Sequence, residues 1–247
     1  MKNKGLKLLL QGLVVLLFVS GIYLFVAPER PAAKPITKAK PRQTKVAKKA
    51  KAIDRLPDVS IDDWQLVLVN RDNTIEEISP ELADINGISV DKRIEQDAAD
   101  FLAAAQTVDP QEHLISGYRS VAYQEQLYQT YIDRELASNP NLTKEEAEKQ
   151  VQTYSQPPGA SEHHTGLAID MSNVDSLNAS DPAVAKEIER LAPQFGFVLR
   201  FPKGKKEVTG VDYEDWHYRY VGKASAKYMV DNNLTLEEYV EQLKENK

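Results

Sequence analysis

From Leu8 to Ala27 the chain carries only Gln11 and Ser20 as clearly polar side chains, and residues 28–57 then turn abruptly to Pro, Ala, Lys and Arg. That boundary confines any packed core to the chain beyond residue 57. Twenty helical residues rise about 30 Å, the thickness of a hydrocarbon core, so the apolar run is long enough to span a bilayer. Lys2, Lys4 and Lys7 precede it, which by the positive-inside tendency holds the N-terminus in the cytoplasm and sends the rest outward. The competing reading is a cleaved signal peptide, which needs a shorter apolar region and a small-residue cleavage site. The exit through Phe25, Val26, Ala27 and Pro28 lacks a clear site, and an uncleaved, single-pass anchor over residues 1–27 is the expectation.

Residues 28–57 cannot bury enough apolar surface to offset their ordering entropy and are expected to form an extended basic tether. Its lysines suit contact with anionic lipid or wall polymer, and a merely solvated linker is an equally good reading. Charge is divided along the same line. Of 31 Lys and Arg, 12 fall within residues 1–51 beside one acidic residue, leaving 19 basic against 36 acidic residues for the remainder. An acidic folded part argues against nucleic acid as a partner. The absence of cysteine excludes disulfides, thiolate metal sites and a cysteine nucleophile.

Residues 58–247 read as one domain. Alternation over residues 64–70 predicts a strand, and Ile94, Ala98, Phe101, Leu102 and Ala105 share one face of a helix over 93–108. A strand comes next at 113–119, then helices at 122–137 and 142–154, the second with a capping box from Thr143 and Glu146. A loop over 155–161 delivers the chain into a strand at 166–171. A helix at 182–195, strands at 197–201 and 216–221, and two C-terminal helices complete the pass. Strands and helices do not alternate in β-α-β fashion, so an α+β domain with an antiparallel sheet is expected.

Chemistry concentrates around three of the four histidines. His163 and His164 leave a loop, Asp170 ends the strand after it, and His217 sits beside Asp212, Glu214 and Asp215. Two imidazoles and one carboxylate form a familiar protein ligand set for catalytic zinc, with the fourth position left to water, and a carboxylate outside the set serves as the base. From spacing alone, however, histidines hydrogen-bonded to acids without a metal are the commoner outcome.

Three motifs in order carry the chain further. Ser116-Gly117-Tyr118-Arg119-Ser120, then Ser161, His163, Gly166, Ala168 and Asp170 in the pattern Ser-x-His-x-x-Gly-x-Ala-x-Asp, then Glu214-x-Trp216-His217 closely resemble the signature of the VanY/LdcB-type D,D- and L,D-carboxypeptidases of bacterial cell walls. The resemblance spans residues 61–221. It implies Zn2+ held by His163, Asp170 and His217, with Glu214 as general base. It makes Arg119 the anchor for the substrate's terminal carboxylate, a role that suits the bidentate grip of a guanidinium. Ser161, Gln124 and Tyr118 are implied further substrate contacts, Trp216 a residue of the cleft wall and His164 a neighbour of the site. The implied fold is that of D-Ala-D-Ala dipeptidases and the hedgehog signalling domain: a small antiparallel sheet holding the zinc, helices packed behind it, and a catalytic domain acting as a monomer.

The implied reaction is hydrolysis of the C-terminal D-Ala bond of peptidoglycan stem peptides outside the cell membrane. The stretch 61–128 resembles the L,D branch, which acts on tetrapeptides, slightly more than the D,D branch, which acts on pentapeptides. The alternative is a zinc-bearing wall-binding module without turnover; the presence of both Glu214 and Arg119 counts against it. A third reading makes the tether the binding element and the domain a passenger.

Overall fold

The computed structural model describes residues 55–174 and 178–246. The expected anchor at 1–27 and all but the end of the expected tether lie outside the described residues. Among the described residues no helix is long and apolar enough to cross a membrane.

The domain is α+β, with antiparallel pairing throughout. A two-stranded hairpin comes first, β1 (Leu82–Ile85) and β2 (Ile88–Asp91). Its two-residue turn is Asn86-Gly87, with φ of 54° and 89°. Both signs are those of a type I′ turn, whose twist matches the strands it joins. Helix α1 (Glu95–Val108) comes after it, burying Ala98, Phe101, Leu102 and Ala105 as the period of the sequence requires. After β3 (His113–Ser116) come α2 (Val121–Ser138), capped by Ser120, and α3 (Lys144–Val151), started by the Thr143–Glu146 capping box.

The main sheet is completed by β4 (Ala168–Ser172), β5 (Phe197–Leu199) and β6 (His217–Tyr220), in the order β3-β4-β6-β5. Between them lie α4 (Pro182–Leu191), which has Asp181 as its cap, and the short α5 (Lys206–Thr209). Helices α6 (Lys223–Asn232) and α7 (Leu236–Glu245) close the chain.

Strand alternation divides the sheet into two faces. Ile169, Met171, Tyr218 and Tyr220 join the apolar core that includes α1 residues, where Phe101 lies 5.3 Å from Phe197 and 5.1 Å edge-on to Tyr218, ring centre to ring centre. The intervening residues Asp170, His217 and Arg219 belong to the opposite face. All five residues of β4 are buried, so both faces are covered.

One expectation fails here. Residues 64–70 do not form a strand: Trp64–Leu66 is a turn of 3-10 helix, and the rest runs without a strand partner except for a bridge between Asn70 and Asn73. The apolar pattern reported burial, since Leu66 and Val69 are core residues. The carbonyls of Gln65 and Val67 accept hydrogen bonds from the Arg219 guanidinium, which satisfies them without a neighbouring strand.

Candidate metal centre

Register builds the centre. Asp170 on β4 is the direct cross-strand partner of His217 on β6 and of Ser116 on β3, so three polar side chains form a row across the sheet. His163 reaches the same point from a turn of 3-10 helix, Glu162–Thr165, which ends at Gly166 with φ of 70°. A side chain at Gly166 would be strained by that φ and would meet the Asp91 backbone nitrogen at 2.8 Å, so the sharp entry into β4 depends on glycine.

Ligand atoms of His163, Asp170 and His217 all lie within 4.8 Å of one another. His163 Nε2 is 3.4 Å from Asp170 Oδ2, and His217 Nδ1 is 3.0 Å from Asp170 Oδ1. The two imidazoles stand almost perpendicular, with ring centres 4.9 Å apart. Each turns its other nitrogen away: His163 Nδ1 lies 2.7 Å from the Gly117 carbonyl, and His217 Nε2 lies 3.4 Å from Glu162 Oε2. Protons placed on those outward nitrogens leave one lone pair per ring aimed inward. Asp170 Oδ1 is buried and has no hydrogen-bond partner among the described residues, even with His217 Nδ1 so near. A buried carboxylate oxygen without a hydrogen-bond partner is costly, and a divalent cation between Asp170 and the two rings, displacing the proton from His217 Nδ1, would satisfy it. The donor set of two imidazoles and one carboxylate is that of a catalytic zinc.

Glu214 stands just outside this set, its Oε2 3.9 Å from His217 Nδ1. Burial, and then the charge of Asp170, push its carboxyl up to about 8. The His163 imidazole is lowered to about 4, by burial and then by the Arg119 cation, and is neutral as a metal ligand must be. For His217, burial works downward, but contacts with Asp170 and Glu162 outweigh it and raise the ring to about 9. Burial likewise opposes ionisation of Asp170, yet the two histidines hold its carboxyl well below the usual range.

The centre opens into a cleft of about 760 Å³ lined by Tyr118, Arg119, Ser161 and Trp216 among others, a size that suits a small ligand. Arg119 is 3.7 Å from Asp170 Oδ2 through Nη2, donates from Nη1 to Gln124 Oε1 at 2.8 Å, and keeps its buried Nε without a partner among the described residues. Gln124 is fully buried and spends its amide nitrogen on the Gln156 carbonyl at 2.7 Å, so its influence on a ligand runs through Arg119. Tyr118 donates to Glu77 at 2.7 Å. His164 is fully buried, taking a hydrogen bond from the Gly159 amide at 3.1 Å and lying 2.8 Å from the Arg119 carbonyl; it ties the 155–161 loop to the backbone of Arg119. Asp212 pairs with Lys206 at 2.7 Å, away from the metal ligands.

The model of the family described as "VanY: D-alanyl-D-alanine carboxypeptidase" matches residues 87–223. The chain belongs to the VanY family. It is 35% identical over 180 residues to the D-alanyl-D-alanine carboxypeptidase of Enterococcus faecalis strain V583, an alignment covering 72% of this chain and 66% of that protein. Among solved structures it resembles VanYB in complex with D-alanine-D-alanine, with a TM-score of 0.66, 34% identity, and coverage of 72% of this chain and 98% of that one. The LdcB LD-carboxypeptidase is similar with a TM-score of 0.57 and 32% identity over 77% of this chain and 92% of its own. A VanY D,D-pentapeptidase structure in complex with Zn(II) also matches, with a TM-score of 0.64, 34% identity, and coverage of 72% and 99%.

Within this VanY-family site the motifs pointed to the residues nearest the metal position but not to what supports them. Ser116, which opens the first motif but had no role there, donates a hydrogen bond to Asp170 Oδ2. Glu162, Arg200 and Arg219 form a buried ionic group behind His217. A signal existed. Arg219 lies two residues beyond His217 in an otherwise aromatic strand, a spacing that puts both on one face.

Proposed function

We propose that this chain is a zinc carboxypeptidase that removes the C-terminal D-Ala from stem peptides of peptidoglycan. The observation that carries the reading is the convergence of His163, Asp170 and His217, drawn from separate segments, with Glu214 beside them and the Arg119 guanidinium across the same cleft. His163 Nε2, His217 Nδ1 and an Asp170 oxygen would hold the ion. Bound there, zinc supplies Lewis acidity to the scissile carbonyl and to the attacking water.

The remaining work belongs to side chains. Glu214, beside the ligand set and outside it, takes a proton from the attacking water and returns it to the leaving amine. Arg119, with a buried N–H still to be satisfied, grips the terminal carboxylate and restricts cleavage to the last peptide bond. Gln124 and His164 hold Arg119 by its side chain and its backbone respectively.

Two cuts share this machinery. Likeness to VanYB, at a TM-score of 0.66 against 0.57 for LdcB, supports a D,D cut on pentapeptides. The L,D cut on tetrapeptides is the second reading, supported by the resemblance of residues 61–128 to that branch and by the larger share of this chain, 77%, that aligns with LdcB. The apolar run at 8–27 behind its lysines supports a tethered position on the outer face of the membrane, where stem peptides are exposed; protease accessibility of the domain in intact cells tests that placement. For the reaction, purified tetrapeptide and pentapeptide muropeptides are incubated with the protein, with and without a chelator, and the products weighed. Loss of one D-Ala that stops with chelator supports the proposal; no mass change with either substrate in the zinc-loaded protein contradicts it.

A further inference from the structure

Glu162 is buried, 4% exposed, and sits among three cationic or ionisable partners. Its Oε1 accepts from Arg200 Nε at 2.7 Å and from Arg219 Nη1 at 2.9 Å. Its Oε2 faces His217 Nε2 at 3.4 Å. Arg200 continues outward in a two-pronged pair with Glu237 at the start of α7, at 3.0 and 2.5 Å. Arg219 spends its other nitrogens on the carbonyls of Gln65, Val67 and Tyr220.

Such a group is a poor device for stability. Two guanidiniums and a carboxylate taken out of water are commonly matched or bettered by apolar residues of the same volume. Their arrangement is directional instead. Oε1 is occupied by arginines, and Oε2 is directed at the metal ligand. A carboxylate oxygen at Nε2, its fellow oxygen already held by two arginines, favours the proton on that nitrogen and leaves Nδ1 to face Asp170 and a metal. His163 has only a backbone carbonyl in the equivalent place, so the two histidines are held by unlike means.

We infer that Glu162 is a positioning residue for the metal centre: braced by Arg219 and by the Arg200–Glu237 pair, it fixes the tautomer and orientation of His217 and thereby tightens the metal site. The brace reaches α7, so the C-terminal helix contributes to metal retention without touching the cleft. This rests on zinc being held by His163, Asp170 and His217, as proposed above.

The test is zinc affinity of the full-length chain, by competition with a chromophoric chelator, together with the visible spectrum of the cobalt-substituted protein. Glu162→Gln is expected to weaken zinc about 10- to 100-fold, to alter the cobalt spectrum, and to leave KM for the peptide unchanged once zinc is saturating. A folded Glu162→Gln protein with wild-type zinc affinity and cobalt spectrum overturns the inference. Should that variant not fold, Glu237→Gln decides: it sits at the partly exposed end of the brace, and a zinc dissociation constant raised about threefold or more supports the inference, while an unchanged one overturns it. A wild-type protein that binds no zinc at all defeats the earlier metal reading instead, so the two failures are told apart.

Discussion

Replacing Gly117 by alanine should damage the metal centre from outside it. Gly117 comes directly after β3, and its carbonyl lies 2.7 Å from His163 Nδ1, while the next amide, of Tyr118, donates to the Ser89 carbonyl at 2.7 Å. A Cβ at Gly117 would stand 2.2 Å from Ser89 O and 2.9 Å from Ile88 Cγ2, against a closest tolerable approach of 3.0 Å. The hairpin and the Gly117 backbone must therefore separate by at least about 0.8 Å, four times the ±0.2 Å within which metal–ligand distances hold. The obstacle is a backbone oxygen, not a flexible side-chain tip. Overpacking of this kind costs about 1–3 kcal/mol, or a melting point lower by about 2–12 °C for a domain of this size. Displacing the acceptor that orients His163 should also weaken zinc about tenfold or more. Thermal unfolding of the metal-free protein and chelator competition measure the two effects separately. An alanine variant with wild-type melting temperature and wild-type zinc affinity would refute the reasoning.

The same geometry carries further outcomes. Glu214→Gln should lower kcat about 10²- to 10⁴-fold while retaining one zinc per chain, checked by D-Ala release and metal analysis; full turnover would defeat the base assignment. Arg119→Lys loses the two-pronged grip on the terminal carboxylate and should raise KM about tenfold or more, an effect that should vanish with a C-terminally amidated peptide as the comparison ligand. Glu112 is 2% exposed, and burial followed by the charge of Asp109 raises its carboxyl to about 7. The folded state thus holds a proton that the unfolded chain releases near 4.5, and stability falls as pH rises across that window and levels off above it. Glu112→Gln should be neutral at the acid end and stabilising by about 1–2 kcal/mol at pH 8, allowing for screening; equal melting temperatures for the two proteins at pH 8 would contradict this.

How far the sequence could be read depended on the range of the interactions. Local signals were reliable: the Thr143–Glu146 capping box and the apolar face of α1 are where spacing put them. His163, Asp170 and His217 were legible through their motifs, and the register that pairs Asp170 with His217 brings them together. Residues 64–70 misled because burial of Leu66 and Val69 imitates strand alternation, while the hydrogen-bonding partner of that segment is a side chain 152 residues away at Arg219. The Asn86-Gly87 hairpin was legible too, an Asn-Gly pair between alternating apolar and polar residues, although no strand was expected there. For the buried ionic group only the spacing of Arg219 from His217 was legible; that Glu162 and Arg200 would meet it was not, because a charged residue does not announce which distant charge will pair with it.

X-ray diffraction at the zinc absorption edge from crystals of the protein grown with zinc tests the central claim most directly. One anomalous peak per chain is expected, about 2.0–2.2 Å from His163 Nε2, His217 Nδ1 and an Asp170 oxygen, with Glu214 beside it and outside the coordination shell. A peak elsewhere, or none among these three residues at saturating zinc, would contradict it.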